Sequence, residues 1–151
     1  FLGNISGSAG ETSALLILIG GGFLLLTRVA NWRTVVATLA SFFGLTALLI
    51  ASDKIVYESM PGIINPTIWH LCAGGLLFGA FYMATDPVTS PLTPRGAWIF
   101  AIGIGLLVVL IRAFGGFPEG VMYAILLMNA ATPLIDRYTQ SRVFGKGVEQ
   151  P

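Results

Sequence analysis

The sequence predicts an all-α integral membrane protein, and composition is the first reason. Hydrophobic residues make up 55% of the 151 residues, charged residues only 10%, and the mean hydropathy is +0.83. A soluble domain carries about 25% charged residues. The net charge of +1 lacks the basic excess of a nucleic-acid-binding surface, so we expect no nucleic-acid partner.

Five apolar stretches are the second reason, because each approaches the ~20 residues that cross a hydrocarbon core. They cover residues 12–27, 34–51, 67–84, 97–111 and 120–134. No Asp, Glu, Lys or Arg lies within any stretch, where a central charge would cost about 2.5–3.5 kcal/mol. We therefore expect five transmembrane helices in a domain of residues 1–136, followed by a polar cytoplasmic tail, 137–151.

The first two stretches are separated by a short polar turn. The first begins with Thr12 and Ser13, directly after Gly10 and Glu11, and ends before Arg28. Serine and threonine are preferred N-caps, and a glutamate in the first turn interacts favourably with the helix dipole. These residues predict a helix start near residue 12, with a turn from residue 28 that leads into the second helix.

Prolines and glycines delimit the other three stretches, because proline cannot continue a helix. The third lies between Pro66 and Asp86, the fourth follows Pro94, and the fifth follows the string 115–120, which contains Glu119.

Glycines within the stretches predict close helix packing. They occur at 20–22, 74, 75, 79, 103 and 105. Gly75 and Gly79 have the four-residue spacing that lets two helices approach closely.

Basic residues are unevenly divided between the two predicted sides. Lys54 and Arg112 fall on one side. The others fall on the opposite side: Arg28, Arg33, Arg95, Arg137, Arg142 and Lys146. Because cytoplasmic loops carry the excess of Lys and Arg, we expect a cytoplasmic C-terminus and place the string 7–13 on the outer face.

Two turns on the predicted outer side share a pattern. Glu11 and Glu119 each follow glycines and precede an apolar helix. A glycine-rich helix N-terminus suits an anion such as a phosphate, but each turn alone equally fits a capped membrane helix. Their placement on the same side favours a shared polar site.

The predicted cytoplasmic loop 84–94 concentrates prolines and hydroxyl residues. Asp86 precedes Pro87 and can accept hydrogen bonds from amides of its own turn, and Thr89 lies three residues further on. The loop fits a rigid turn and, equally, a binding loop for a polar ring or a ribityl-type chain.

Four motifs occur in an order that resembles one family. They are Phe1-Leu2-Gly3-Asn4-Ile5 with Gly7-Ser8-Ala9-Gly10-Glu11-Thr12-Ser13, then Trp69-His70-Leu71, then Met83-Ala84-Thr85-Asp86-Pro87-Val88, then Pro118-Glu119-Gly120. Together they resemble the C-terminal half of the RnfD/NqrB family. Its members are flavin-bearing membrane subunits of the Rnf ferredoxin:NAD oxidoreductase and of the sodium-pumping NADH:quinone oxidoreductase. The continuation 89–96 is more similar to the RnfD branch.

The resemblance implies a fold and a cofactor. The fold would be ten helices in two inverted repeats of five, similar to urea transporters, with this chain as the second repeat. In this family FMN is linked through its phosphate to a threonine of a Ser-Gly-Ala-Thr type motif. The nearest string, Ser6-Gly7-Ser8-Ala9, lacks that threonine, so we expect the anchor upstream of this chain, which would be part of a longer protein. Riboflavin is the alternative flavin.

The resemblance also implies site residues and partners. It places the string 7–13 at the wall of an outward-facing flavin that receives electrons from the FMN of an adjacent subunit. The predicted cofactor-binding residues are Ser8, Glu11, Thr12, Ser13, Asp86, Thr89 and Glu119. The other expected partners are further membrane subunits of the complex, membrane lipid and a quinone, in a bacterial or archaeal cytoplasmic membrane. No residue is predicted to be catalytic or to bind a metal.

The predicted function is therefore electron relay through a flavin, coupled to Na⁺ or H⁺ translocation. Such a protein takes part in a redox-driven translocase without being catalytic alone. Two other functions fit the same residues: half of a channel or transporter for a small polar solute, or a purely structural membrane component.

Overall fold

A computed structural model describes residues 13–51, 75–115 and 120–140. Every regular element in these residues is helical, which confirms the all-α class for the described part. The helices are α1 (Ala14–Leu26), α2 (Trp32–Ala51), α3 (Leu76–Phe78), α4 (Pro94–Phe114) and α5 (Val121–Thr139). A π-helical turn, Gly79–Met83, continues α3 directly.

Two of the described helices are long and apolar enough to cross a membrane. They span Trp32–Ile50 and Pro94–Phe114. The third predicted stretch is described only from residue 75, so the number of five spans remains a prediction.

Two helices are longer than predicted. Thr93 caps α4 by accepting a hydrogen bond from the Gly96 amide at 3.0 Å, with Pro94 in the first helical position. α5 continues past Pro133 to Thr139, five residues beyond the predicted boundary of 134. Residues 137–139, predicted as tail, are helical.

The described part of the third predicted stretch begins with a turn at Gly75. Gly75 has a φ of +65°, in the left-handed region, and α3 begins only after it. Gly75 therefore makes a backbone turn that other residues adopt with strain, and its predicted role in helix packing stays a prediction. Gly79 does pack closely, since a Cβ there would overlap the Val121 side chain.

α2 and α4 run parallel and form the most extensive helix pair. Near their N-termini the rings of Trp32 and Trp98 lie 6.5 Å apart. Two turns later, a Cβ on Gly105 would lie 2.8 Å from the carbonyl oxygen of Thr38 and 2.9 Å from the nitrogen of Phe42. The two backbones are thus in direct contact, which only glycine at this position permits.

α5 packs antiparallel to α4. At one end of this pair the Oγ1 atoms of Thr93 and Thr139 lie 2.6 Å apart. At the other end Gly120 lies against Ile111, which a Cβ would approach to 2.6 Å. Because the chain also reverses in the short turn between α1 and α2, the helices alternate in direction.

This alternation gives the described bundle two ends. The Ser13 end holds the starts of α1, α3 and α5. The loop end holds the turn 27–31, the loop 84–93 and the end of α5. The core lies between α2, α4 and α5, where Phe100, Ile104 and Val108 of α4 have no exposed surface.

Candidate functional site

The loop 84–93 is ordered by the carboxylate of Asp86. This carboxylate accepts a hydrogen bond from the Val88 amide at 3.1 Å and one from the Thr89 hydroxyl at 3.4 Å. The carbonyl of Asp86 accepts from the Ser90 amide at 3.1 Å. The predicted bonding of Asp86 to its own turn is confirmed, and the structure brings Asp86 and Thr89 together.

One face of α5 fastens this loop to the bundle. The Thr132 hydroxyl donates to the carbonyl of Thr89 at 3.1 Å, and the Asp136 carboxylate accepts from the Leu92 amide at 3.2 Å. Sequence reasoning missed this contact. Thr132, Asp136 and Thr139 follow the i, i+4, i+7 spacing of one helix face, which was the available signal.

A hydrogen-bonded chain joins the start of α4 to the last turn of α5. The Thr93 hydroxyl accepts from the Gly96 amide, and the Thr139 hydroxyl donates to the carbonyl of Ile135 at 2.8 Å. Since the Thr139 proton is directed to that carbonyl, Thr93 donates to Thr139. The α4 cap and the end of α5 therefore stabilise each other.

At the Ser13 end, the start of α1 is the described part of the predicted outer site. The side-chain oxygen of Ser13 accepts from the Leu16 amide at 3.5 Å, and Ser13 is buried. Ser8, Glu11, Thr12 and Glu119 lie outside the described residues.

Ser13 and the Asp86–Thr89 pair lie at opposite ends of the bundle. Tyr82 packs beside Gly20. Gly20 lies seven residues after Ser13, and Tyr82 lies four residues before Asp86. At 1.5 Å per residue, the two groups are separated by roughly 16–18 Å along the helices. The described candidates therefore do not form one site.

Between these ends, Tyr82 of the π-helical turn contacts α1, a contact that the sequence reasoning did not single out. The rings of Phe78 and Tyr82 stack with centroids 5.2 Å apart. The Tyr82 hydroxyl lies 3.5 Å from the carbonyl oxygen of Ile17. Gly20 leaves room for Tyr82 and Gly21 leaves room for Phe81, since a Cβ on either glycine would overlap that ring. This confirms the predicted role of the two glycines in helix packing.

Several buried polar atoms have no hydrogen-bond partner among the described residues. They include the hydroxyls of Thr34, Thr38 and Thr46 on α2 and the Oδ1 atom of Asn129 on α5. An unpaired buried polar group costs about 1–3 kcal/mol. These atoms could each accept or donate a further hydrogen bond inside the bundle.

Comparison with known proteins identifies the family. The sequence profile of the NQR2, RnfD, RnfE family matches residues 1–145. The chain belongs to this family. The predicted family is thereby confirmed. The described part of the chain is all-helical and has two helices of membrane-spanning length, which agrees with a membrane protein.

Curated relatives of this NQR2, RnfD, RnfE chain belong to redox complexes. It is 48% identical over 97% of its length to a component of the ion-translocating oxidoreductase complex of Stutzerimonas stutzeri. It is 46% identical over 96% of its length to a component of the proton-translocating ferredoxin:NAD(+) oxidoreductase complex of Clostridium ljungdahlii. A component of the Na(+)-translocating NADH-quinone reductase of Ectopseudomonas mendocina is 48% identical over 91% of the chain. The chain spans 39%, 42% and 34% of these three relatives, respectively.

Proposed function

We propose that this chain is part of a membrane protein that relays electrons through a flavin in an ion-translocating oxidoreductase complex. The observation that carries the proposal is the 48% identity over nearly the whole chain to a component of such a complex. The relatives are named for proton as well as sodium translocation, so the coupling ion of this chain is H⁺ or Na⁺. The other membrane subunits, including one that carries FMN, and a quinone are the proposed partners.

The flavin we propose is FMN at the Ser13 end, anchored through a threonine upstream of this chain. A bound flavin supplies the electron-accepting ring, while the protein positions it and tunes its potential. The start of α1 fits this role, because a helix N-terminus favours the negative charge of a phosphate or a reduced flavin. The proposed wall there is Ser8, Glu11, Thr12, Ser13 and Glu119.

The loop end does not fit the same flavin. The Asp86 carboxylate already accepts from the Thr89 hydroxyl and the Val88 amide, and both residues lie far from Ser13. If they contact a cofactor, it must be a second one, for which riboflavin is the candidate.

In the architecture we propose, these described helices form part of a five-helix repeat whose C-terminus is cytoplasmic.

Flavin content of the full-length protein, purified with its complex, tests this function. We expect visible flavin absorption and a fluorescent band that survives denaturing electrophoresis, as a covalent link requires. A colourless protein without such a band would contradict the proposal and favour a solute channel or a structural role.

A redox titration tests the outer site. Replacing Glu11 with Gln removes a negative charge, so the covalent flavin should become easier to reduce, by tens of millivolts on a scale where about 59 mV is a tenfold change. Asp86→Asn is the matched control, since it removes the same charge at the opposite end and should leave this potential unchanged. Equal potentials in Glu11→Gln and wild type, at full flavin content, would place Glu11 outside the site.

A further inference from the structure

A pair of tryptophans marks the loop end of α2 and α4. Trp32 and Trp98 meet edge to face at 6.5 Å. They nevertheless remain 55% and 39% exposed. Tryptophan rings favour the level of lipid head groups, so this exposed pair is expected at the membrane–water interface.

Two arginines accompany these rings. The Arg33 guanidinium lies 5.7 Å from the centre of the Trp32 ring. Arg95 is exposed and precedes Trp98 by three residues, which places both on one face of α4. We call Trp32, Arg33, Arg95 and Trp98 the arginine–tryptophan patch.

The positive charge of this patch is not balanced within its helices. The parallel N-termini of α2 and α4 lie side by side, and each carries a partial positive charge. Neither first turn contains an acidic residue. At the same end, Asp86 and Asp136 accept hydrogen bonds from amides of the loop 84–93. An arginine at a helix N-terminus is unfavourable unless an anion lies nearby.

The turn before α2 adds to the positive charge at this end. Arg28 lies in that turn and is exposed. The exposed charge around the patch is therefore of one sign, as the binding of an anion requires.

We propose that the arginine–tryptophan patch binds the phosphate of an anionic phospholipid head group. Arginine binds phosphate oxygens through two parallel hydrogen bonds. Exposed apolar side chains continue from the patch along both helices, with Val36 at 46%, Ile99 at 52% and Ile102 at 41% exposure. These side chains fit the acyl chains, which distinguishes a lipid from a free phosphate as the occupant.

Native mass spectrometry of the delipidated full-length protein in its complex tests this site. The complex is titrated separately with dioleoylphosphatidylglycerol, dioleoylphosphatidylcholine and inorganic phosphate. We expect preferential binding of dioleoylphosphatidylglycerol over dioleoylphosphatidylcholine. Arg33→Gln and Arg95→Gln should each weaken it about fivefold and their combination roughly 30-fold. Dioleoylphosphatidylcholine has the same phosphate, but its own ammonium group balances the charge, so its binding should be weaker and should fall less in the variants. The subunit composition in the same spectra shows whether the complex is intact.

Arg137→Gln is the matched control, because Arg137 is an exposed arginine at the same end but on α5. This variant should change binding less than twofold, and Arg33→Lys with Arg95→Lys should retain most of it. Equal losses in Arg137→Gln and the patch variants would overturn the proposal, since only general charge attraction would remain. Unchanged binding in the double glutamine variant, or displacement of the lipid by millimolar inorganic phosphate, would also overturn it.

Discussion

At the scale of single residues, Asp86 has the clearest structural task in the described part of the chain. Its carboxylate holds the Val88 amide and the Thr89 hydroxyl, so it sets the path of a loop that contains two prolines. The same loop is then held from outside by Asp136 and Thr132 on α5. Two aspartates therefore fix one loop, one from within and one across the bundle.

Replacing Asp86 with alanine should loosen this loop. The Val88 amide would lose its acceptor, and we expect a loss of about 1.5 kcal/mol, the low end of the range for a hydrogen bond to a charged group, because the bond is exposed. Hydrogen–deuterium exchange at Val88 should accelerate. Asp86→Asn, which retains an acceptor oxygen, should lose less than half as much. Unaltered exchange in Asp86→Ala would deny the residue this role.

At the scale of elements, the parallel pair of α2 and α4 depends on one close approach. Gly105 brings the α4 backbone against the carbonyl of Thr38 and the amide of Phe42. Membrane helices associate mainly through such packing, since lipid supplies no hydrophobic drive between them. Small residues at the contact therefore contribute to the stability of the helix pair by allowing close packing.

Gly105→Ala should destabilise the purified protein by about 1–3 kcal/mol, the usual cost of overpacking. The new Cβ would lie below 3.0 Å from backbone atoms of α2, which cannot move as a side chain can. Gly44→Ala on α2 is the control, because no atom lies within 4 Å of a Cβ at that position. It should be neutral or gain up to about 1 kcal/mol from helix propensity. Thermal unfolding of both variants checks this, and similar losses would refute the contact.

At the scale of the whole molecule, helix alternation separates two chemically different ends. The loop end carries Arg28, Arg33, Arg95 and Arg137, whereas Arg112 lies in the last turn of α4 near the Ser13 end. For the described residues, this is the charge asymmetry from which the cytoplasmic side is predicted.

Cysteine labelling tests that orientation in intact cells. In a Cys72→Ser background, Ser59→Cys, in the segment between the predicted second and third stretches, should react with an impermeant maleimide. Val88→Cys, at a position that is 87% exposed, should react only after the membrane is opened. The reverse pattern would invert the topology and place Ser13 on the cytoplasmic side.

The sequence by itself determined the all-helical class, the family and most helix positions. These properties follow from hydrophobicity and turn residues summed over neighbouring positions, as in the stretch 34–51 that became α2. The glycine contacts at Gly20, Gly21 and Gly79 were also predicted in kind, because small residues in apolar helices serve close packing.

Only the tertiary structure decided which side chains meet. Leu92 and Asp136 are 44 residues apart and Ile17 and Tyr82 are 65 apart, and no local pattern encodes such pairs. Likewise, only the structure showed the left-handed turn at Gly75, and helix direction placed Asp86 at the end opposite Ser13. The physical reason is that a hydrophobic stretch is recognised from neighbouring residues alone. Contacts between helices depend on how whole helices pack, and they join residues that are far apart in the sequence.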